Sequence, residues 1–131
     1  MTTFVDTSAW YALLDRGDPQ HDAAAQRWRT LLSAERVLTH SYVLVETTAL
    51  VQRRLGVAAV ETLINELSAP ATVVWIDAEL HQRATTALLA ARQRHVSFVD
   101  WTSFEVMRSR AITSAFAFDD DFQAQGFTVV P

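Results

Sequence analysis

Five short runs punctuate the chain: Thr3-Phe4-Val5, Val37-Leu38-Thr39, Thr72-Val73-Val74-Trp75-Ile76, Ala115-Phe116-Ala117-Phe118 and Phe127-Thr128-Val129-Val130. Each is rich in β-branched or aromatic residues and too short to be a helix, so each is predicted to be a strand, buried on both faces where apolarity is continuous. The intervening segments carry apolar residues at helical spacing. A helix is expected through Ala9, Trp10, Ala12, Leu13 and Leu14, with Thr7 or Ser8 as its cap and Gly17-Asp18-Pro19 as its stop. A second runs from about His21 to Leu32, with Ala24, Ala25, Trp28, Leu31 and Leu32 on one face. A third, capped by Ser41, runs from Tyr42 to Leu55 and ends at Gly56, and a fourth continues to about Leu67. Two more cover Ala78 to Arg94 and Ser97 to Met107. Strands and helices that alternate in this way predict an α/β fold with a mostly parallel sheet covered on both faces.

Against this apolar background four carboxylates stand out. Asp6, Glu46, Asp100 and Asp119 each lie inside or at the end of an apolar run. An ionised carboxylate costs several kcal/mol to desolvate unless it is capped, paired or bound to a metal. Asp6 follows Phe4-Val5 and Asp119 follows Phe116-Ala117-Phe118, so parallel strands deliver both to the edge of the sheet where α/β sites form. Glu46 shares a helical face with Tyr42, Ala49 and Leu50, which places it on the expected packed side. Asp100 falls in the first turn of its helix, where amide groups favour negative charge. Taken singly, Asp6, Asp100 and Asp119 read equally well as helix caps, Asp100 as the last member of Ser97-x-x-Asp100. Glu46 has Arg53 as an alternative partner. Together, oxygen donors without cysteine or an adjacent histidine point to a hard divalent ion, Mg²⁺ or Mn²⁺, and to phosphoryl chemistry.

At 131 residues the chain is the size of one domain, spanning 1–131, and it contains no cysteine, which removes disulfides and thiolate metal sites. Its net charge is −4, and every basic residue among the 11 is arginine. The lack of lysine excludes a Walker-A loop and Schiff-base chemistry, while arginine still serves phosphate. Neither a basic leader segment nor an apolar run of about 18 residues is present, so a soluble, cytoplasmic protein without membrane contact is expected.

Phe4-Val5-Asp6-Thr7-Ser8, Val45-Glu46, Phe98-Val99-Asp100, Phe118-Asp119-Asp120-Asp121-Phe122 and the terminal Gly126-Phe127-Thr128-Val129-Val130-Pro131 resemble, in order and over the whole chain, the PIN-domain family, and within it the VapC-type toxins. The resemblance implies a single three-layer α/β/α domain and a Mg²⁺-dependent endoribonuclease, with Mn²⁺ as a substitute. It further implies the toxin role in a type II toxin–antitoxin pair, an RNA substrate and a VapB-like antitoxin. Carried over by position, Asp6, Glu46, Asp100 and Asp119 are the catalytic and metal-binding acids. Thr7 and Ser8 match the polar pair that orients water or substrate, and Asp121 is a further member.

The four histidines, His21, His40, His81 and His95, lack paired ligand spacing and read as surface or capping residues. Trp10, Trp28, Trp75 and Trp101 read mainly as packing, with Trp10 and Trp28 also placed to line a groove for an antitoxin helix. Arg53-Arg54, Arg92-x-Arg94 and Arg108-x-Arg110 are candidate phosphate contacts or solvated helix faces. The apolar helices up to Leu67 are expected to leave a surface for the antitoxin or for a second subunit in a homodimer. Two other readings stand beside the enzyme: a non-catalytic PIN-like module that binds RNA or protein, and a nuclease of the same chemistry directed at DNA.

Overall fold

The computed structural model describes residues 1–130; Pro131, the last residue of the terminal motif, lies outside them. The elements run in the order β1 (Thr2–Val5), α1 (Thr7–Leu14), α2 (His21–Ala34), β2 (Arg36–His40), α3 (Ser41–Leu55), α4 (Val57–Thr62), β3 (Thr72–Val74), α5 (Ala78–Ala91), α6 (Phe98–Ser109), β4 (Ser114–Phe116), α7 (Asp121–Ala124) and β5 (Thr128–Val130). α4 runs directly into one wider π-helical turn, Leu63–Leu67. The strands form one sheet in the order β3-β2-β1-β4-β5, and every pairing is parallel. This is the α/β/α architecture expected, with no antiparallel strand among the described residues.

Central position explains composition. β1 lies between β2 and β4, and Phe4 and Val5 are wholly buried. The core continues through Trp10, Val43, Phe104, Phe116 and Phe122, all without solvent exposure. Phe4 and Phe104 bracket Phe122, with ring centroids 5.9 and 5.1 Å away. Burying an aromatic ring of this size contributes about 2–3 kcal/mol, so this cluster anchors the Asp119–Asp121 loop that immediately precedes Phe122.

Three local differences from the sequence-based expectation have clear causes. α1 is capped by Asp6, not by Thr7 or Ser8, because the Asp6 side chain accepts the Ser8 amide. α3 is capped by His40, whose Nδ1 accepts the Tyr42 and Val43 amides at 3.2 and 3.3 Å. Ser41 instead accepts the Ile76 amide at 3.0 Å and ties the end of β3 to α3. β3 stops at Val74, opposite His40 at the end of β2, and Trp75 beyond it is 75% exposed. Gly56, at φ +93°, ends α3 and opens α4, a conformation that disfavours any residue with a Cβ.

Candidate active site

The parallel ladder sets the position of Asp6. Val5 pairs with Phe116, and one residue further the Asp6 amide donates to the Phe116 carbonyl at 3.1 Å. The carboxylate therefore emerges at the C-terminal edge of the two central strands, 3% exposed. Ser8 holds it there: the Ser8 hydroxyl donates to Asp6 Oδ2 at 2.7 Å, and the Ser8 amide donates to the same oxygen at 3.2 Å. The same hydroxyl accepts the Phe118 amide at 3.0 Å, so one serine joins the first acid to the segment that carries Asp119.

Burial, and then the charges of Asp119 and Asp100, push the Asp6 carboxyl up from its ordinary 3.8 to about 7, although the Ser8 hydrogen bonds oppose the shift. Asp119 is raised by burial and by Asp100 and Asp121, against the Asp121 amide that donates to its Oδ1 at 3.2 Å and a hydrogen bond with Asp6. Asp100 is raised by burial and, to a smaller degree, by Asp121. Its Oδ2 accepts the Ser97 amide at 3.1 Å while the Ser97 hydroxyl accepts the Asp100 amide at 3.1 Å, a reciprocal cap at the start of α6. The capping role and the site role thus coexist in one residue. Asp121 also lies 4.0 Å from His95 Nε2, a proximity that the 26-residue separation of the two in the chain hides.

The structure therefore brings Asp6, Asp100, Asp119 and Asp121 into one electrostatic neighbourhood. Glu46 is outside it: the residue is exposed on α3 and is not among the charges that raise the three aspartates. The packed face of α3 is Val43, Thr47 and Val51, not the face of Tyr42, Ala49 and Leu50 expected from the wheel. Among the described residues no ion pair joins Glu46 to Arg53. Thr7 is buried and accepts the Thr47 hydroxyl at 3.3 Å, while the Ser8 proton is committed to Asp6.

Trp10 and Trp28 do not line a groove. They are 0% and 8% exposed and pack edge to face at 5.2 Å, because α1 and α2 cover each other over the sheet. The exposed apolar surface is elsewhere, a groove of about 560 Å³ whose walls include Leu44 and Val45 of α3, Ile64 and Trp75. Trp101 is buried as expected, with its indole N–H unpaired. Arg108 lies over the Phe104 and Phe127 rings and donates to Gln125 at 3.0 Å, which engages it in packing.

A buried carboxyl crowded by two like charges, with no arginine acting on it, is a group that gains from a cation. Among the described residues no three His, Asp or Glu side chains are grouped closely enough to hold a metal ion by themselves. The donor set is nevertheless all oxygen, and Mg²⁺ binds through one or two carboxylates while keeping several waters. An all-oxygen donor set of this kind fits a hard divalent ion better than it fits zinc.

A five-stranded parallel sheet carrying carboxylates at its C-terminal edge defines an α/β/α domain with an acidic site, and the PIN-domain family model matches residues 3–127: this chain belongs to the PIN-domain family. It is 43% identical to the 23S rRNA-specific endonuclease VapC20 of Mycobacterium tuberculosis, strains CDC 1551/Oshkosh and H37Rv, over 97% of this chain and 96% of that protein. The crystal structure of the M. tuberculosis VapC20, described as a sarcin–ricin loop cleaving toxin, superposes with a TM-score of 0.87 at 40% identity, covering 98% of this chain and 97% of the other. The VapBC2 complex of Rickettsia felis bound to a promoter DNA fragment shares the fold, with a TM-score of 0.71 at 10% identity over 99% and 98% of the two chains.

Proposed function

We propose that this chain is a metal-dependent endoribonuclease, the toxin of a type II toxin–antitoxin pair, and that its substrate is a structured ribosomal RNA. The observation that carries the reading is the convergence of buried Asp6 with Asp119 and Asp100 at the C-terminal edge of the sheet. The 43% identity to an enzyme named for 23S rRNA cleavage supports the substrate class. Mg²⁺, or Mn²⁺ in its place, would be held among Asp6, Asp100 and Asp119, one or two of them binding it directly; Glu46, exposed on α3 and outside their electrostatic neighbourhood, joins the site by the family resemblance alone. Such an ion lowers the pKa of bound water and offsets charge on a phosphodiester.

The chain's own residues prepare that chemistry. Asp6 must give up its proton as the cation enters, and Ser8 keeps its Oδ2 in place by two hydrogen bonds. Asp100 spends Oδ2 on the Ser97 cap, which orients the carboxylate. Asp119 is fixed by the Asp121 amide, and Asp121 adds negative charge that strengthens cation binding. Thr7 stays beneath the site as a buried support. Among the described residues no helix is long and apolar enough to cross a membrane; a cytoplasmic site of action is part of the same proposal.

A VapB-like antitoxin is the proposed partner, inserting an arginine among the carboxylates, where a planar guanidinium meets two oxygens at once. Homodimerisation through exposed apolar helix surface belongs to the same reading. The test is cleavage of purified 23S rRNA and of single- and double-stranded DNA in Mg²⁺, Mn²⁺ and EDTA, with Asp6→Asn as control. Metal-dependent RNA cleavage lost in the variant is expected. Cleavage of DNA in preference to RNA would transfer the activity to DNA, and binding without cleavage would identify a non-catalytic module.

A further inference from the structure

His40 is wholly buried, and its hydrogen bonds leave one arrangement of its proton. Nδ1 accepts two amides, those of Tyr42 and Val43, so it carries no hydrogen. Nε2 therefore bears the proton and donates it to Ser103 Oγ at 2.8 Å, and Ser103 in turn donates to the Val99 carbonyl at 2.9 Å. The ring is stacked on Phe4 of β1 at 5.6 Å, which prevents it from turning. Ser103 is also fully buried, so neither group has a water-facing alternative.

This relay starts at the last residue of β2 and ends in the first turn of α6. Val99 immediately precedes Asp100, and its carbonyl belongs to the turn whose geometry aims the Asp100 carboxylate. The same imidazole caps α3, the helix that carries Glu46. We infer that His40, through Ser103, is a positioning residue that sets the first turn of α6 against α3 and β1 and thereby holds Asp100 at its distance from Asp6. The inference rests on the metal-dependent reading of the carboxylate site.

Side-chain chemistry separates the two ends of the imidazole. His40→Asn keeps an acceptor near Nδ1 and preserves the α3 cap, but cannot reach Ser103. His40→Gln places an amide N–H near Nε2 and preserves the link, but loses the cap. Ser103→Ala removes the link alone. Mn²⁺ binding to metal-free protein, read by titration calorimetry, is the measurement, with thermal melting alongside. Loss of a partner that orients a metal ligand typically weakens metal binding about 10–100-fold, and the lower end applies because Ser97 still caps Asp100. His40→Asn and Ser103→Ala should each bind Mn²⁺ about tenfold more weakly, and the double variant no more weakly than either. His40→Gln should bind within about threefold of the wild type although it melts lowest. Binding losses that track melting temperature, with His40→Gln worst, would reduce His40 to a structural cap and overturn the inference. Unchanged binding in Ser103→Ala and His40→Asn, with a wild type that binds, would overturn it while leaving the enzyme reading intact. A wild type that binds no Mn²⁺ would remove both.

Discussion

Replacing Asp6 by asparagine should stabilise the metal-free protein while abolishing its chemistry. The carboxyl is 3% exposed and titrates near 7 instead of 3.8. Between these values the folded state holds a proton that the unfolded state releases, so stability is lost as pH rises through the window and the whole penalty is present above about 7. The gap converts to roughly 4 kcal/mol, which sharing of charge with Asp119 reduces to about 2–4 kcal/mol. Asparagine carries no charge at any pH. Its Oδ1 can still accept from Ser8, and its amide can donate to Asp119, as the protonated carboxyl does. At about 3–4 °C per kcal/mol for a domain of this length, Asp6→Asn should melt about 7–14 °C higher than the wild type at pH 8 in EDTA. At pH 5, where the native carboxyl is already protonated, the gain should shrink to less than half. Melting curves by circular dichroism at the two pH values measure both, and the same preparations are assayed for RNA cleavage. An asparagine variant that melts at or below the wild type at pH 8, or a gain that does not shrink at pH 5, would refute the electrostatic account of the site.

Saturating Mn²⁺ at about 100 times its Kd should stabilise the wild type by about 2.7 kcal/mol, with EDTA reversing the effect and the shift growing from pH 6 to pH 8 as Asp6 ionises; a melting curve indifferent to millimolar Mn²⁺ counts against the metal centre. Glu46→Gln, on an exposed position, should change stability by less than about 0.5 kcal/mol but lower cleavage at least about tenfold, and full activity would retire Glu46 from the site. Phe122→Ala, emptying a fully buried position beneath the Asp119–Asp121 loop, should cost about 3–5 kcal/mol by urea unfolding; a loss under about 1 kcal/mol would show that the ring does not anchor the loop. Co-expression with a cognate VapB-like antitoxin should yield a complex that lacks both metal and nuclease activity, whereas a metallated, active complex would rule out an arginine in the acidic pocket.

Much of this protein was determined locally. The strand runs around Phe4, Leu38, Val73, Ala115 and Val129 are apolar enough to be strands only in a sheet covered on both faces, and all five pair in parallel. Asp6 and Asp119 follow the parallel strands β1 and β4, whose ends fix the position of the next few residues, and Ser97-x-x-Asp100 carries its capping box within four residues. Three dimensions were needed for each relation between segments distant in the chain. A wheel for α3 shows an apolar stripe but not which neighbours cover it, so Glu46 read as packed and is exposed. Trp10 and Trp28 have the composition of a docking surface or of a core, and only the contact of α1 with α2 makes them core. Ser8 reads as a cap, yet it bridges Asp6 to Phe118 across 110 positions. His40 carries no motif at all; its role arises because β2 ends beneath α6, where a buried imidazole has two amides on one side and Ser103 on the other. Helix and strand propensities act over a few residues, whereas desolvation and charge proximity depend on which segments the fold brings together.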